Sequence, residues 1–410
     1  MSWSTVTIGD LVENDLIELQ TGPFGTQLKA SDYTSDGTPV INVRNIGYRV
    51  LNPEKLEYIP ENVLNRLSRH ILIPGDIVFG RKGAVDRHLL VTSLQNEWLQ
   101  GSDCIRMRIF SDKINPDFLS YSFLLDSHKN WMLTQCGNKA TMASLNQDVI
   151  KRIRLNLPDI VTQRAVVDIL SKYDDLIENN RRRIQLLEEA ARLLYQEWFV
   201  RLRFPGHEHT KIVDGVPEGW IQGVISDFYD TTSGGTPSRK NPEYYTGDIN
   251  WVKTQELVGG FIFETSEKIT QIAISQSAAK VLPKRTLLVA MYGATIGEIG
   301  ILAESSACNQ ACCAIIPKKD LSNEIFAYFF FKDNKMRLKS LSQGAAQNNI
   351  NQQVIREYPM ILPSKNVMFQ FLTYVNPIMN AVKNLSLTNS NLIKARDLLL
   401  PRLMNGVIPV

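Results

Sequence analysis

The stretch LNQDVIKRIRLNLP at residues 145–158 aligns without a gap on INQQVIREYPMILP at residues 350–363. Two earlier pairs of segments match in the same order. Trp3, Ile8 and Asp10 recur with identical spacing as Trp220, Ile225 and Asp227, and PGDIVFGRKGA from Pro74 resembles PKRTLLVAMYGA from Pro283. Ordered matches at a nearly constant offset indicate a duplication, and small drifts in the offset indicate loop insertions within a shared scaffold. The chain is therefore predicted to contain one domain twice.

A long helix is predicted behind each repeat, where Asp159 or Ser364 follows a Leu-Pro pair as a candidate N-cap. Seam residues then recur at alternating steps of four and three through residues 166–198 and 371–403, which is the spacing of a coiled coil. The alternative is a pair of isolated amphipathic helices, each of which packs on its own domain.

One asparagine stands at a seam position of each helix, Asn180 in the first and Asn389 in the second. A polar seam residue costs stability and fixes register, so the pair is predicted to align two helices that meet each other. Pro377 and Pro401 interrupt the second pattern and are expected to kink or shorten that helix.

Short β-rich runs alternate with Gly- and Pro-rich turns inside each repeat, which predicts a mixed α/β (α+β) domain. Strands are predicted at residues 39–43, 76–79, 104–109, 286–291 and 311–316. One helix per repeat is predicted, at about residues 117–133 and 323–341. The predicted organisation is domain 1 at 1–158, helix 1 at 159–204, a linker at 205–219, domain 2 at 220–363 and helix 2 at 364–410.

Composition excludes several classes of protein. The 410 residues exceed one ordinary core, and no apolar run is long enough to span a bilayer, so we expect a soluble, cytoplasmic protein. The five cysteines form no CxxC pair, and His207 and His209 lack further ligands nearby, so no metal site is expected. The net charge is only +3, so any nucleic-acid binding must rely on local clusters and on partners.

Catalytic motifs are not evident. The sequence contains no glycine-rich turn typical of S-adenosylmethionine or nucleotide binding, no phosphate loop, and no Asn-Pro-Pro-aromatic motif of an amino-methyltransferase. We therefore expect a chain without catalytic activity.

The order of domain, long helix, domain and long helix resembles the specificity subunit of Type I restriction-modification systems. Local strings agree: GVPEGW at 215–220, GGTPS at 234–238, GPFG at 22–25, PVINVR at 39–44 and LLPRLM at 399–404. The resemblance implies two target-recognition domains that are related by a pseudo-twofold axis and separated by two antiparallel coiled-coil helices. It also implies an asymmetric bipartite target in double-stranded DNA.

The resemblance further implies two modification subunits and one or more restriction subunits as partners. S-adenosylmethionine, ATP and Mg²⁺ would belong to those partners, with no cofactor on this chain. A different interpretation is a coiled-coil assembly protein whose duplicated domains bind protein or glycan.

Candidate DNA-binding residues are polar side chains on comparable turns of the two domains, because Arg suits guanine edges and Asn suits adenine edges. They are Arg44, Arg81, Lys82, Lys139 and Thr141 in the first domain, and Ser238, Arg239, Lys253, Tyr292, Asn348 and Asn349 in the second. A solvated loop residue or a structural hydrogen bond is an equally good interpretation of any single one.

Overall fold

The computed structural model describes residues 3–137, 143–318, 322–342 and 349–410. The chain divides into two compact units. The first unit comprises residues 1–175 and 392–410, and the second comprises residues 176–391.

The first unit builds a larger and a smaller sheet from short strands. Its strands are β1 (Ser4–Thr7), β2 (Ile17–Thr21), β3 (Thr38–Ile41), β4 (Tyr48–Arg49), β5 (Glu57–Ile59), β6 (Ile77–Gly80), β7 (His88–Leu90), β8 (Leu99–Gln100), β9 (Cys104–Ile109) and β10 (Arg154–Leu157). The larger sheet has the order β2-β9-β6-β7-β4, the smaller β5-β3-β8, and β1 pairs with β10. Its helices are α1 (Ile8–Glu13), α2 (Glu61–Arg66), α3 (Pro116–Ser122), α4 (Asp126–Gly137) and α5 (Gln147–Lys151).

The second unit repeats that topology strand for strand. After a hairpin of β11 (Ile212–Val213) and β12 (Val216–Pro217), its strands are β13 (Ile221–Val224), β14 (Tyr229–Ser233), β15 (Ile249–Val252), β16 (Phe261–Ile262), β17 (Lys268–Ile269), β18 (Leu287–Ala290), β19 (Ile299–Leu302), β20 (Ala307–Cys308), β21 (Cys312–Pro317) and β22 (Pro359–Leu362). The sheet orders are β14-β21-β18-β19-β16, β17-β15-β20 and β13-β22. In the first unit β3 pairs parallel with β8, and β4 with β7. In the second unit β15 pairs parallel with β20, and β16 with β19. The other strand pairs of these sheets are antiparallel.

Two long helices connect these parts. The first, α6 (Ile160–Tyr195), continues as a π-helical turn at Gln196–Val200, and the second, α11, spans Lys365–Met404. The remaining helices of the second unit are α7 (Ile225–Phe228), α8 (Gln271–Ser275), α9 (Glu324–Ser340) and α10 (Gln352–Arg356). Each long helix begins in one unit and ends in the other.

The long helices pair antiparallel within each unit. In the second unit Trp198 and Tyr195 pack on Phe371, with ring centroids 5.9 and 6.3 Å apart. In the first unit Val166 and Leu170 share a buried cluster with residues 400–404 of α11. The predicted seam positions, all of which the structure describes, are buried or half-buried, so the coiled-coil spacing marked the packed face correctly.

Both predicted N-caps are present. The Asp159 carboxylate accepts hydrogen bonds from the amides of Val161 and Thr162 at 3.0 and 2.9 Å. The Ser364 hydroxyl accepts one from the Val367 amide at 3.4 Å. These side chains satisfy amide groups that the first turn of a helix leaves without backbone partners.

Pro377 and Pro401 were expected to kink or shorten the second long helix. They do not shorten α11, which passes through both, because the buried seam supplies tertiary packing that outweighs local propensity, and a kink there stays a prediction. Another expectation about the helices was wrong. The single helix predicted at residues 117–133 is two helices, α3 and α4. The break follows Ser122, whose carbonyl accepts from His128 Nδ1 at 2.7 Å and from the Leu125 amide at 3.1 Å. In the second unit the predicted helix is continuous, from the Asn323 cap through α9.

Candidate nucleic-acid interface

Several loops of the first unit converge at one end of its two sheets. We define the first loop end as residues 22–27, 42–45, 81–84 and 101–103. Three backbone hydrogen bonds hold these loops together: Gly22 N to Cys104 O (2.9 Å), Arg81 N to Asp103 O (2.8 Å) and Gly101 N to Ile41 O (2.9 Å). A side chain at Gly22 would not fit, since its Cβ would lie 1.9 Å from the Gly101 carbonyl oxygen.

The same scaffold recurs in the second unit. We define the second loop end as residues 234–240, 253–256, 291–295 and 309–311. The corresponding hydrogen bonds are Gly234 N to Cys312 O (3.3 Å), Met291 N to Ala311 O (2.8 Å) and Asn309 N to Val252 O (2.9 Å). A Cβ at Gly234 would meet the Cys308 carbonyl oxygen at 2.2 Å. The backbone frame is therefore repeated, whereas the side chains that it displays differ.

In each loop end, a turn that contains a glycine is joined by a β-bridge to the segment before α5 or α10. Lys82 forms an isolated β-bridge with Ser144, and Tyr292 forms the matching bridge with Asn349. Gly83 and Gly293 adopt φ values of +74° and +62°, the left-handed region that favours glycine. Of the candidate residues, Lys139, Thr141 and Asn348 lie outside the described residues.

The cationic candidates of the first loop end are close to acidic or aromatic side chains. Arg44 Nη2 lies 2.5 Å from Glu57 Oε2, and Lys82 Nζ lies 3.0 Å from Asp103 Oδ1. The guanidinium of Arg81 lies 4.8 Å from the ring centroid of Phe24, a half-exposed aromatic residue. All of these side chains remain partly or fully exposed, so a ligand could reach them.

The second loop end brings two candidates onto one carboxylate. Arg239 Nη1 lies 2.7 Å from Glu267 Oε2, and Lys253 Nζ lies 2.9 Å from Glu267 Oε1. The contact with Arg239, and then the hydrogen bond from Lys253, lower the pKa of Glu267, and the contact with Glu267 raises the pKa of Arg239. Arg239, Lys253 and Glu267 therefore form one charged group with a net positive charge.

Aromatic residues support the loop that carries Arg239. The guanidinium of Arg239 stacks over Tyr245, 4.1 Å from the ring centroid, and lies 5.3 Å from that of Trp251. Tyr245 Oη donates to the Pro237 carbonyl at 2.6 Å, and Trp251 Nε1 donates to the Gly235 carbonyl at 3.0 Å. These bonds fasten the backbone just before the exposed Ser238.

Tyr292 and Asn349 play different parts. Tyr292 is about two-fifths exposed, 39%, and so is available to a ligand. Asn349 Oδ1 accepts a hydrogen bond from the Gly293 amide at 3.1 Å, which gives that side chain a structural use in the turn. Contact between these candidates and DNA stays a prediction.

Sequence reasoning did not identify Glu57 and Glu267, which the strand register places at equivalent positions. Val40 pairs with Glu57 across β3 and β5, and the Trp251 amide donates to Glu267 O at 3.2 Å across β15 and β17. Val40 on β3 and Trp251 on β15 occupy equivalent positions. Val40 is the first residue of β3 that pairs with the parallel strand β8, and Trp251 is the first residue of β15 that pairs with the parallel strand β20. A signal was present: the two glutamates are separated by the same offset as the PGDIVFGRKGA and PKRTLLVAMYGA segments.

The two seam asparagines are in direct contact. Asn180 Nδ2 donates to Asn389 Oδ1 at 2.9 Å, and Asn389 Nδ2 donates to the Ile177 carbonyl at 3.2 Å. Both side chains are buried, at 7% and 8% exposure. Their contact is observed, and their role in fixing the register stays a prediction.

Across the described ranges, no group of three or more His, Cys, Asp or Glu side chains is arranged to hold a metal ion. Within the same ranges no helix combines the length and apolar character that crossing a membrane requires.

The family model described as the Type I restriction modification DNA specificity domain matches residues 2–189 and 217–387. The chain belongs to this family. The two matches cover most of the sequence and follow the internal duplication, so the resemblance inferred from the repeats is confirmed.

Curated relatives agree with the family assignment. The Type I restriction enzyme HindI specificity subunit of Haemophilus influenzae is 26% identical over 88% of this chain and 92% of its own length. The Type I restriction enzyme MjaIX specificity subunit of Methanocaldococcus jannaschii is 22% identical over 86% of this chain and 82% of its own.

A solved structure shares the fold. The crystal structure of a Type I restriction-modification system S subunit from M. genitalium matches with a TM-score of 0.57 at 14% identity. The match covers 98% of this chain and 96% of that one. The predicted fold class, duplicated mixed α/β domains with long antiparallel helices, is confirmed.

Proposed function

We propose that this chain is the sequence-reading subunit of a Type I restriction-modification complex and that each loop end reads one half of a bipartite double-stranded DNA target. The repeated backbone frame with different displayed side chains carries this proposal. Two similar frames offer comparable surfaces to two half-sites, as the halves of a symmetric dimer do. Different side chains allow the half-sites to differ in sequence.

The proposed readers are the domains at residues 1–158 and 220–363. The helices at 159–204 and 364–410 and the linker at 205–219 would connect them. The candidate residues at the loop ends, including Lys139, Thr141 and Asn348, are the proposed DNA contacts.

We assign the chemistry to partners. Two modification subunits would transfer methyl groups to adenine with S-adenosylmethionine, and restriction subunits would use ATP and Mg²⁺ to cleave DNA. This chain would hold no cofactor or metal and would act in the cytoplasm. The names of the curated relatives, specificity subunits of Type I restriction enzymes, support this division of labour. The family match does not favour the alternative of a protein- or glycan-binding assembly protein.

The ion pairs at the loop ends bear on the affinity of the free protein for non-specific DNA. Arg44, Lys82 and Arg239 each face a carboxylate in the free protein, so contact with phosphate would compete with an existing partner. Because the chain also has little surplus positive charge, it should neutralise few phosphates, so affinity for non-specific DNA should be weak.

Mapping of methylated adenines tests the proposed function. Genomic DNA is compared between cells that contain this gene, cells that lack it, and deleted cells that carry it on a plasmid. We expect one asymmetric bipartite motif to be methylated only when the gene is present. Methylation that is unchanged by the deletion would overturn the proposal, as would methyl transfer by the purified chain without any other subunit.

A further inference from the structure

The equivalent carboxylates of the two units each hold an exposed arginine. Arg44, which pairs with Glu57, belongs to the 3₁₀ turn after β3. Arg239, which pairs with Glu267, belongs to the loop after β14. The two arginines therefore come from non-equivalent loops and reach the same position of the shared frame.

A glutamate carboxylate is unexpected at a surface that is proposed to bind DNA. A glutamate there repels phosphate, and an exposed ion pair contributes little to folding stability. A second polar group nevertheless holds each carboxylate in place. Asn42 Nδ2 donates to Glu57 at 2.7 Å, and Lys253, at the corresponding cap position, donates to Glu267 at 2.9 Å. The geometry indicates that the glutamates orient the arginines.

We propose that Glu267 is a positioning residue that holds Arg239 for a two-bond contact with O6 and N7 of a guanine, and that Glu57 does the same for Arg44. The proposal rests on the proposed function and extends it by naming the base. Each half-site then contains a guanine that is read in the major groove by one arginine.

The arrangement of Arg239 suits contact with a base edge. Its stack on Tyr245 sets the plane of the guanidinium, and its ion pair with Glu267 draws Nη1 to within 2.7 Å of Oε2, while 56% of the side chain remains exposed. Arginine has five N–H donors in a rigid fork, so donors remain for a ligand beside the ion pair with glutamate. A fixed planar fork matches the paired O6 and N7 acceptors of guanine, and such a contact carries sequence information that a phosphate contact lacks.

The two arginines are not held equally. Arg44 has the Glu57 contact, and Arg239 has both its glutamate and the aromatic stack. The guanine read by Arg239 should therefore be the more strictly required of the two.

The test uses the full chain co-purified with its modification subunits, on a duplex that carries the mapped target. Wild-type complex must first prefer this duplex over a scrambled one. Absence of any preference would refute the proposed function itself, before the positioning role is tested. Each guanine of the half-site assigned to the second domain is then replaced by 7-deazaguanine, which still pairs with cytosine and lacks only the N7 acceptor.

We expect one 7-deazaguanine position to weaken wild-type binding by about tenfold, the range of a good two-bond base contact. Arg239→Lys keeps the charge and removes the fork, so it should bind normal and 7-deaza duplexes within about twofold of each other. An Arg239→Lys complex as sensitive as wild type at every position would overturn the assignment, and so would a wild-type complex that is insensitive at all of them.

Glu267→Gln tests the positioning role. We expect it to lose most of the tenfold preference at that guanine, while binding to scrambled DNA is unchanged or stronger because a negative charge is removed. Lys268→Ala is the matched control, since the adjacent exposed side chain points to the opposite side of the strand. Full base preference in Glu267→Gln, or equal losses in the control, would show that Glu267 does not orient Arg239.

Discussion

The first and second units share one strand order and differ in what they bury between helix and sheet. In the first unit His88 Nε2 and Ser120 Oγ form a buried hydrogen bond of 2.8 Å. By strand register, Ile299 takes the place of His88 in the second unit. Tyr121 and Tyr328 both bond an acidic residue of α6, and with these two aligned Ala327 takes the place of Ser120; Ile299 and Ala327 are both buried. One topology thus accepts either a polar or an apolar pair, because the polar pair satisfies its own hydrogen bond.

The loop ends repeat this lesson at the surface. The backbone bonds that start at Gly22 and Gly234 are preserved, and the exposed side chains around them are not. Steric limits on close backbone approach admit only glycine at these positions, whereas an exposed side chain is constrained by its ligand alone.

Exchange of a whole domain should have the largest effect of any change. Residues 1–158 are replaced by the matching segment of another family member, and methylated motifs are mapped in cells. We expect one half-site to change completely and the other to remain, because each loop end belongs to its own sheets. Alteration of both half-sites would show that the domains do not read independently.

Acid should destabilise the first unit before the second. Burial, helped by the nearby charge of Arg49, lowers the pKa of His88 from 6.5 to about 3, so His88 is neutral when folded and becomes protonated when unfolded between these values. Its contribution is complete above pH 6.5 and is lost as the pH falls toward 3. The loss is about 2 kcal/mol at pH 5 from this group.

Hydrogen exchange at pH 7 and pH 5 measures this difference unit by unit. The double variant His88→Ile/Ser120→Ala copies the pair of the second unit and should reduce the acid sensitivity of the first unit. Part should remain, because burial also lowers the pKa of His70 in that unit. The exposed His209 provides the control as His209→Ala, for which no change is expected. An unchanged pH response in the double variant would mean that another group is responsible.

The polar layers of the helix pair should respond next in size. Asn180→Leu leaves the buried Asn389 amide without its side-chain partner, which should cost about 1 to 3 kcal/mol in the free energy of unfolding. Asn180→Leu/Asn389→Leu replaces both polar groups and should recover that loss, with weaker specification of register. Asn391→Ala changes an exposed asparagine of the same helix and is the control in denaturant unfolding.

A double variant that stays as unstable as the single one would contradict this account.

The first unit has a different polar contact between its two long helices, where Arg396 Nη1 and Tyr121 Oη both donate to Asp174 at 2.6 Å. Because Arg396 also bonds Asp397, loss of one partner there leaves another.

The helix caps should give the smallest difference. Asp159→Ala should lower the Tm more than Ser364→Ala at pH 7, since Asp159 caps two amides and Ser364 one. Hydrogen bonds from Thr162 lower the pKa of Asp159 below 3.8. Its contribution is therefore present above pH 3.8 and lost as the pH falls through the lowered value. Equal Tm shifts at pH 7 would contradict this ranking.

Much of the fold could be predicted because its signals are local or periodic. The strand at Cys104–Ile109 was predicted with its correct bounds, and the seam spacing marked the packed faces of α6 and α11. The break after Ser122 was missed because the Ser122 carbonyl accepts from the His128 ring and from the Leu125 amide, contacts that the apolar pattern does not reveal. Continuation of α11 through Pro377 was missed because tertiary packing opposed the local preference.

The amino-acid sequence by itself determined the duplication, the two long helices, their seams and the class of side chain on the turns. Periodicity and repetition can be recognised along the chain without knowledge of which distant segments are in contact. The tertiary structure alone decided which charges meet. Arg239 finds Glu267 through a loop and a strand crossing, and Arg396 meets Asp174 on the other long helix. Such contacts depend on how distant segments fold back on each other, and local propensity carries no information about that distance.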